Sequence, residues 1–413
     1  MNVAATSVPS RDVHPALFLV LYLPFGISAG YVTVSLAYLL TQAGISVQWV
    51  AALVALSLFP LTWKVIWAPM VDSFLTYKSW YVLSTVATAL GVAATGFVPA
   101  TKGTFGLIEG IVFIFSLTSS AITMTTDGLI AHTVAPERKG RAAGWAQAGN
   151  VGGGSIGGGV ALWVAAHTHL AWTAGVVAAA ISLAAITALF FIDEPEHAHR
   201  VPRLAETAKN IAKDIWSMAR SRPGFLGLVL VALPAGTGAA SNLWSAVASD
   251  WHASADLVAL SAGVLGGVVA MIGSIVAGPL FDRFDRKRSY MTCAILMAIC
   301  ALAMAAAPRT PAMFLIFTLL YALANGAMYA AYGAVMLEAI GRGAAATKSP
   351  LFASIANIPI AIMTMIDGAA QARWGSGGML LAEAAVAVTV MIAFAIFAAA
   401  TRPSARALAS QPG

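Results

Sequence analysis

The chain has 413 residues, 59% of them hydrophobic and only 10% charged, and a mean hydropathy of +0.83, where a soluble domain carries roughly 25% charge. That composition excludes a water-soluble globular protein, and runs such as 313–335 and 384–400 lack the alternation of a β-barrel, which leaves membrane-spanning helices. The net charge of +6 carries no nucleic-acid reading, because its placement around the apolar spans accounts for it.

A hydrocarbon core about 30 Å thick takes roughly 20 residues per helical crossing. The pattern predicts an all-α membrane protein of twelve transmembrane helices, over 16–40, 48–70, 79–99, 104–134, 143–166, 170–192, 223–247, 256–281, 289–308, 311–337, 350–371 and 377–400. The first apolar stretch shows no cleavage site after a short apolar core, so it is expected to stay as a helix; it carries Tyr22, Pro24, Tyr31 and Tyr38. Lys64 lies in the second span, which ends in WAPMVD at 67–72. In the fourth, Glu109 sits about one turn inside one end, and Asp127, followed by Gly128, lies toward the other. Ionisable groups in hydrocarbon are costly unless paired or facing water, so each is a candidate for function.

PERKGR, with Arg138, Lys139 and Arg141, leads into a fifth span that holds Gln147, Asn150 and seven glycines from Gly149 to Gly159. Gly149, Gly153 and Gly157 share a helix face at spacing four, which permits close approach of another backbone. Gly152, Gly154 and Gly157 also match a dinucleotide-loop spacing, but no strand precedes them and that reading is rejected.

The one long polar stretch, DEPEHAHRVPRLAETAKNIAKDIWSMARSRPG, divides the chain into a six-helix bundle over 1–192, a cytoplasmic linker over 193–222 and a second six-helix bundle over 223–413. Within it Leu204, Ala208, Ile211, Ile215 and Met218 recur at three and four, the spacing of an amphipathic surface helix.

Beyond the linker, Pro234 and Gly236 are expected to bend the seventh span, which also holds Asn242 and Trp244. The eighth ends in AGPLFD at 277–282, an echo of WAPMVD that suggests related halves around a central site. Cys293 and Cys300, seven apart on one helix, are too distant to bridge. Asn325 and Tyr329 fall in the tenth span, Asn357, Pro359 and Asp367 in the eleventh, and Glu383 near the start of the twelfth.

Of the 23 Lys and Arg residues, only Lys102, Arg309 and Arg373 fall in the loops opposite the linker, and Lys64 inside a span. The positive-inside rule then places both termini in the cytoplasm.

Gly278, Asp282, Arg283, Arg286 and Lys287 satisfy G-x-x-x-D-R-x-x-R-[RK], which resembles the signature loop of the major facilitator superfamily; Asp72 marks the first copy, with Lys78 as its only basic residue. LYLPFGISAG (21–30), WKVIWAPMVDSF (63–74) and TTDGLIAHTVAPERKGRAAG (125–144) are similar to the narrower family of peptide, acetyl-coenzyme A and muropeptide permeases. This resemblance implies a secondary carrier in a bacterial inner membrane that imports an amphipathic solute such as a muropeptide or siderophore by proton symport.

It further implies a central cavity lined by the first, fourth, seventh and tenth helices, with Tyr31, Lys64, Asn150, Asn242, Trp244, Asn325 and Tyr329 as substrate-binding candidates. Glu109, Asp127 and Asp367 are the proton-coupling candidates; Glu383 is read as interfacial. Asp72, Arg138, Arg141, Gly278, Asp282, Arg283, Arg286 and Lys287 are the expected gate. The expected partners are a small molecule, protons and lipids, with no nucleic acid, cofactor, metal or enzymatic activity, and a monomeric state. A sensor on the same fold and an acyl-coenzyme A carrier are the alternatives; without G-x-x-x-x-G-K-[ST] the chain itself couples nothing to ATP.

Overall fold

The computed structural model describes residues 13–71, 75–135, 138–193, 209, 212–213, 216–281, 283–340 and 345–400. In the first half, α1 runs Leu17–Gln42, α2 Val47–Val71, α3 Tyr77–Phe97 and α4 Phe105–Thr133. α5 is composite, Lys139–Ser155, a π-helical Ile156–Val160 and Ala161–Thr168, and α6 is Trp172–Phe191.

In the second half, α7 begins as Arg222–Ala232 and α8 comprises Ala255–Val258, a π-helical Ala259–Leu265 and Gly266–Phe281. α9 is Arg286–Ala306 and α10 Pro311–Ile340. The run Ala345–Ala400 is divided at Gly375 (φ 68°, ψ −174°) into α11 over 345–374 and α12 over 376–400. Left-handed φ at this corner favours a residue without Cβ.

Nine of the described stretches are long and apolar enough to cross a membrane. They comprise eight of these helices and the joined α11–α12 run; α5 and α7 fall outside the nine. α5 is diluted by glycine. α7 corrects the expectation of one continuous helix over 223–247. It unwinds after Ala232, turns through left-handed Gly236 (φ 68°) and Gly238 (φ 70°), and resumes as short helical pieces, Ala239–Leu243, Trp244–Val247 and Ala248–Trp251. Pro234 has no N–H to continue the ladder.

The glycine face of α5 lies against α1. A Cβ added at Gly149, Gly153 or Gly157 would stand 2.1, 2.4 and 2.0 Å from the carbonyl oxygens of Leu19, Leu23 and Ile27 respectively. The approach is reciprocal: Gly26 and Gly30 of α1 sit on the backbone of Asn150 and Gly154. Spacing four on both helices keeps each glycine over its counterpart, the small-residue packing that lipid favours.

The helix ends at Val71, Thr133, Phe281 and Ile340 mark the end where the gate is expected, here the latch end, and the two halves touch from mid-depth to the opposite, far end. Gly368 of α11 sits on Ala51 of α2, and Gly263 of α8 on Gly159 of α5. Ser155 donates to the Gly263 carbonyl at 3.2 Å, Ser245 to the Thr33 carbonyl at 2.6 Å, and His167 approaches Asp256 at 3.7 Å. The π-helical stretches at 31–36, 156–160 and 259–265 converge here, with Ser35 donating to the carbonyls of Gly157 and Gly158.

Most of the expected linker helix, including Leu204, Ala208, Ile211 and Ile215, lies outside the described residues. Of its described part, 216–219 is helical, with Met218 buried and Lys209 and Lys213 exposed.

Candidate substrate cavity and charge sites

A cavity of about 240 Å³ lies between the halves on the latch side of these contacts. Tyr22, Lys64, Thr123, Gln147 and Asn150 line it from the first half, and Thr237, Tyr290, Asn325, Tyr329, Tyr332 and Asn357 from the second. Tyr329 is 60% exposed although it is mid-helix, so its ring faces this open space rather than a neighbouring helix.

At the latch-side end, the Tyr22 hydroxyl donates to Asp127 Oδ1 at 3.1 Å, and Asp127 and Lys64 interact electrostatically. Asp127 is exposed beside Tyr22 and Lys64, which line the cavity, and that exposure lowers the cost of placing a carboxylate within a spanning helix. Across the cavity, Tyr290 donates to the carbonyl of Ala235 at 3.2 Å, satisfying a backbone acceptor in the α7 break. Gly238 is confined by Asn325: a Cβ there would lie 2.6 Å from Asn325 Oδ1.

Of the expected substrate-binding residues, the structure brings Lys64, Asn150, Asn325 and Tyr329 together here. Tyr31 is a correction: it is fully buried, hydrogen-bonded to Thr95 of α3 at 2.9 Å, and turned toward α3 and α6. Nine residues of regular α-helix, two and a half turns, set Tyr31 on the face opposite Tyr22, which lines the cavity.

Asn242 and Trp244 line a second cavity of about 180 Å³ toward the far end, with Asn325 shared between the two. Tyr290 and Tyr332 were missed by sequence reasoning; the signal was present in Tyr332, which follows Tyr329 by three residues and shares its face.

Glu109 is half-buried near the start of α4 and belongs to neither cavity. Asp367 and Glu383 are both buried and electrostatically coupled to each other, which corrects the interfacial reading of Glu383.

Asp72 and Asp282 lie outside the described residues, and Gly278 falls within α8. Arg138, Arg141, Arg283 and Arg286 are exposed. Lys287 pairs with Glu338 of α10, inside the second half, and Asp285 caps α9 by accepting from the Arg288 N–H at 2.9 Å.

The family model of the Major Facilitator Superfamily matches residues 17–246 and 234–413. The chain belongs to the Major Facilitator Superfamily. Its fold is similar to a D-xylose-proton symporter (TM-score 0.72, 14% identity, 92% of this chain and 96% of that one). It is also similar to a POT family transporter in complex with 5-aminolevulinic acid (0.70, 10%, 94% and 96%) and to the xylose transporter XylE from E. coli in an inward open conformation (0.67, 12%, 92% and 94%). No match was found among curated proteins. As a superfamily member the chain is a multi-pass transporter of two repeated helical domains and not an enzyme.

Proposed function

We propose that this superfamily member imports, with protons, a small polar organic solute bearing an anionic group, across a bacterial inner membrane with both termini cytoplasmic. The observation that carries the reading is the Tyr22–Lys64–Asp127 cluster at the water-facing end of a cavity rich in amides and phenols. With Asp127 ionised, Lys64 is neutralised within the protein. When a proton binds the Asp127 carboxylate, the ammonium of Lys64 is released to pair with a substrate anion, so one proton and one negative charge enter together. Asn150, Asn325 and Asn357 supply donors and acceptors for hydroxyl or amide groups, and Tyr329 and Tyr332 supply flat walls.

The cavity is smaller than the roughly 300–1,000 Å³ of drug-sized ligand sites, which favours a sugar acid or a short peptide over a whole muropeptide or ferric siderophore. The charge distribution supports the latch end as cytoplasmic, so the described state is open inward, and 1–192 and 223–413 are the bundles that rock. Asp72, Asp282 and the neighbouring Arg and Lys residues are the proposed gate.

Counterflow in proteoliposomes with sugar acids, short peptides, muropeptides, siderophores and acyl-coenzyme A tests this. Lys64→Gln is expected to weaken an anionic substrate about 10- to 100-fold, the equivalent of a charged hydrogen bond. Asp127→Asn should keep counterflow and lose proton-driven accumulation. Counterflow of no class, or unchanged accumulation by both variants, refutes the reading.

A further inference from the structure

Asp367 of α11 and Glu383 of α12 stand eight residues before and eight after the corner at Gly375. An antiparallel hairpin therefore brings them to one level, about 12 Å inside the far end at 1.5 Å per residue. Asp367 is fully buried and Glu383 4% exposed. Their carboxyl groups are close enough to be electrostatically coupled, and Tyr321 of α10 donates to Glu383 Oε1 at 2.8 Å. Neither Asp367 oxygen, nor Glu383 Oε2, has any N–H or hydroxyl donor among the described residues.

Among the described residues no Lys or Arg interacts with either carboxyl, although Arg309 lies against Gly377 of α12. α9 contributes Cys300 near Tyr321, α7 contributes Asn242, and α2 contributes Gln48 and Ala51 around Gly368. Arg309, in the loop before α10, lies over the Trp251 ring at 4.0 Å and interacts with Asp250. Two coupled carboxyl groups buried in such a place cannot both ionise, and a proton on one lets it donate to the other.

We propose that Asp367 and Glu383, sharing one proton beside Tyr321, form a second proton-binding site whose occupancy holds the far end of the transporter closed. This rests on the carrier reading above but is separate from Asp127. Gly368, the residue after Asp367, is seated on Ala51 of α2, so the pair adjoins the contact that closes α11 against the first half. Two further contacts tie it to the far-end cavity: Asn242 donates to Thr364, one turn before Asp367, at 3.1 Å, and Trp244 packs edge-on against Tyr321 at 5.3 Å. Loss of the proton leaves two like charges in contact. α11 then parts from α12, and the Gly368–Ala51 contact opens. Because the proton is bound in the closed state, raising the pH depletes that state.

The test uses full-length protein in lipid nanodiscs with Cys293 and Cys300 replaced by alanine and Leu61→Cys as a probe of the latch-end cavity. Maleimide labelling at Cys introduced by Leu61→Cys, divided by the rate of the denatured protein at the same pH to remove the rise in thiolate, is expected to slow several-fold as pH rises. The slope should flatten in D367N, E383Q and their double variant, and persist in Asp127→Asn. Infrared difference spectra should show a protonated carboxyl at neutral pH that the double variant lacks. An unchanged slope in the double variant, a slope lost only in Asp127→Asn, or no carboxyl band lost in the double variant overturns the proposal.

Discussion

Replacing Gly153 by alanine tests the α1–α5 contact on which the cavity wall depends. The added Cβ would lie 2.4 Å from the Leu23 carbonyl oxygen and 2.9 Å from the Ile27 nitrogen, both backbone atoms that cannot swing aside. Ordinary contact requires the helices to separate by about 1 Å. A gap of 0.5–1 Å forfeits about a quarter to a half of each contact's ~0.1–0.2 kcal/mol, so about 40 contacts lose about 2 kcal/mol. This agrees with the about 1–3 kcal/mol of overpacked cores. Gly149→Ala and Gly157→Ala should cost as much, since their added Cβ atoms meet carbonyl oxygens at 2.1 and 2.0 Å. Gly144→Ala, with nothing within 4 Å, and Gly152→Ala, with only a Leu23 methyl at 4.0 Å, should be neutral. Thermal and denaturant unfolding in detergent gives the ranking. Equal behaviour of the two sets would refute the reasoning, because only the depth of the contact separates them.

Ser245→Ala removes the hydrogen bond to the Thr33 carbonyl that joins the halves. At about 0.5–1.5 kcal/mol for such a bond, far-end opening should rise about 2- to 12-fold, read as faster labelling of Ala262→Cys in the far-end cavity. By contrast, Asp256→Asn should change stability by less than about 0.5 kcal/mol, because its approach to His167 at 3.7 Å joins two exposed side chains. A larger shift in unfolding would show that this loop contact contributes to closure.

Depth along the membrane normal was legible because hydropathy marks where each helix enters and leaves the hydrocarbon. The positions of Lys64 and Asp127 near the latch end, and of Asp367 and Glu383 near the far end, follow from counting residues within the spans. The glycine face of α5 was equally legible, since spacing four is a local property of one helix. Rotation was not. A helix that is apolar all round has no polar side to announce which face turns inward, and Tyr31 shows the consequence: right span, right depth, wrong side.

By itself, then, the sequence determined a twelve-helix membrane fold of two halves, the charged positions within it, and a bend at Pro234 and Gly236. Only the tertiary structure decided which of those positions meet. Tyr22 finds Asp127 across 105 residues, Tyr321 finds Glu383 across 62, and Asn242 finds Thr364 across 122. The physical reason is that burial energy is nearly indifferent to which apolar face packs where. Partnerships between polar groups are set instead by π-helical register shifts, glycine contacts and the unwound turn of α7, which act across helices rather than along them.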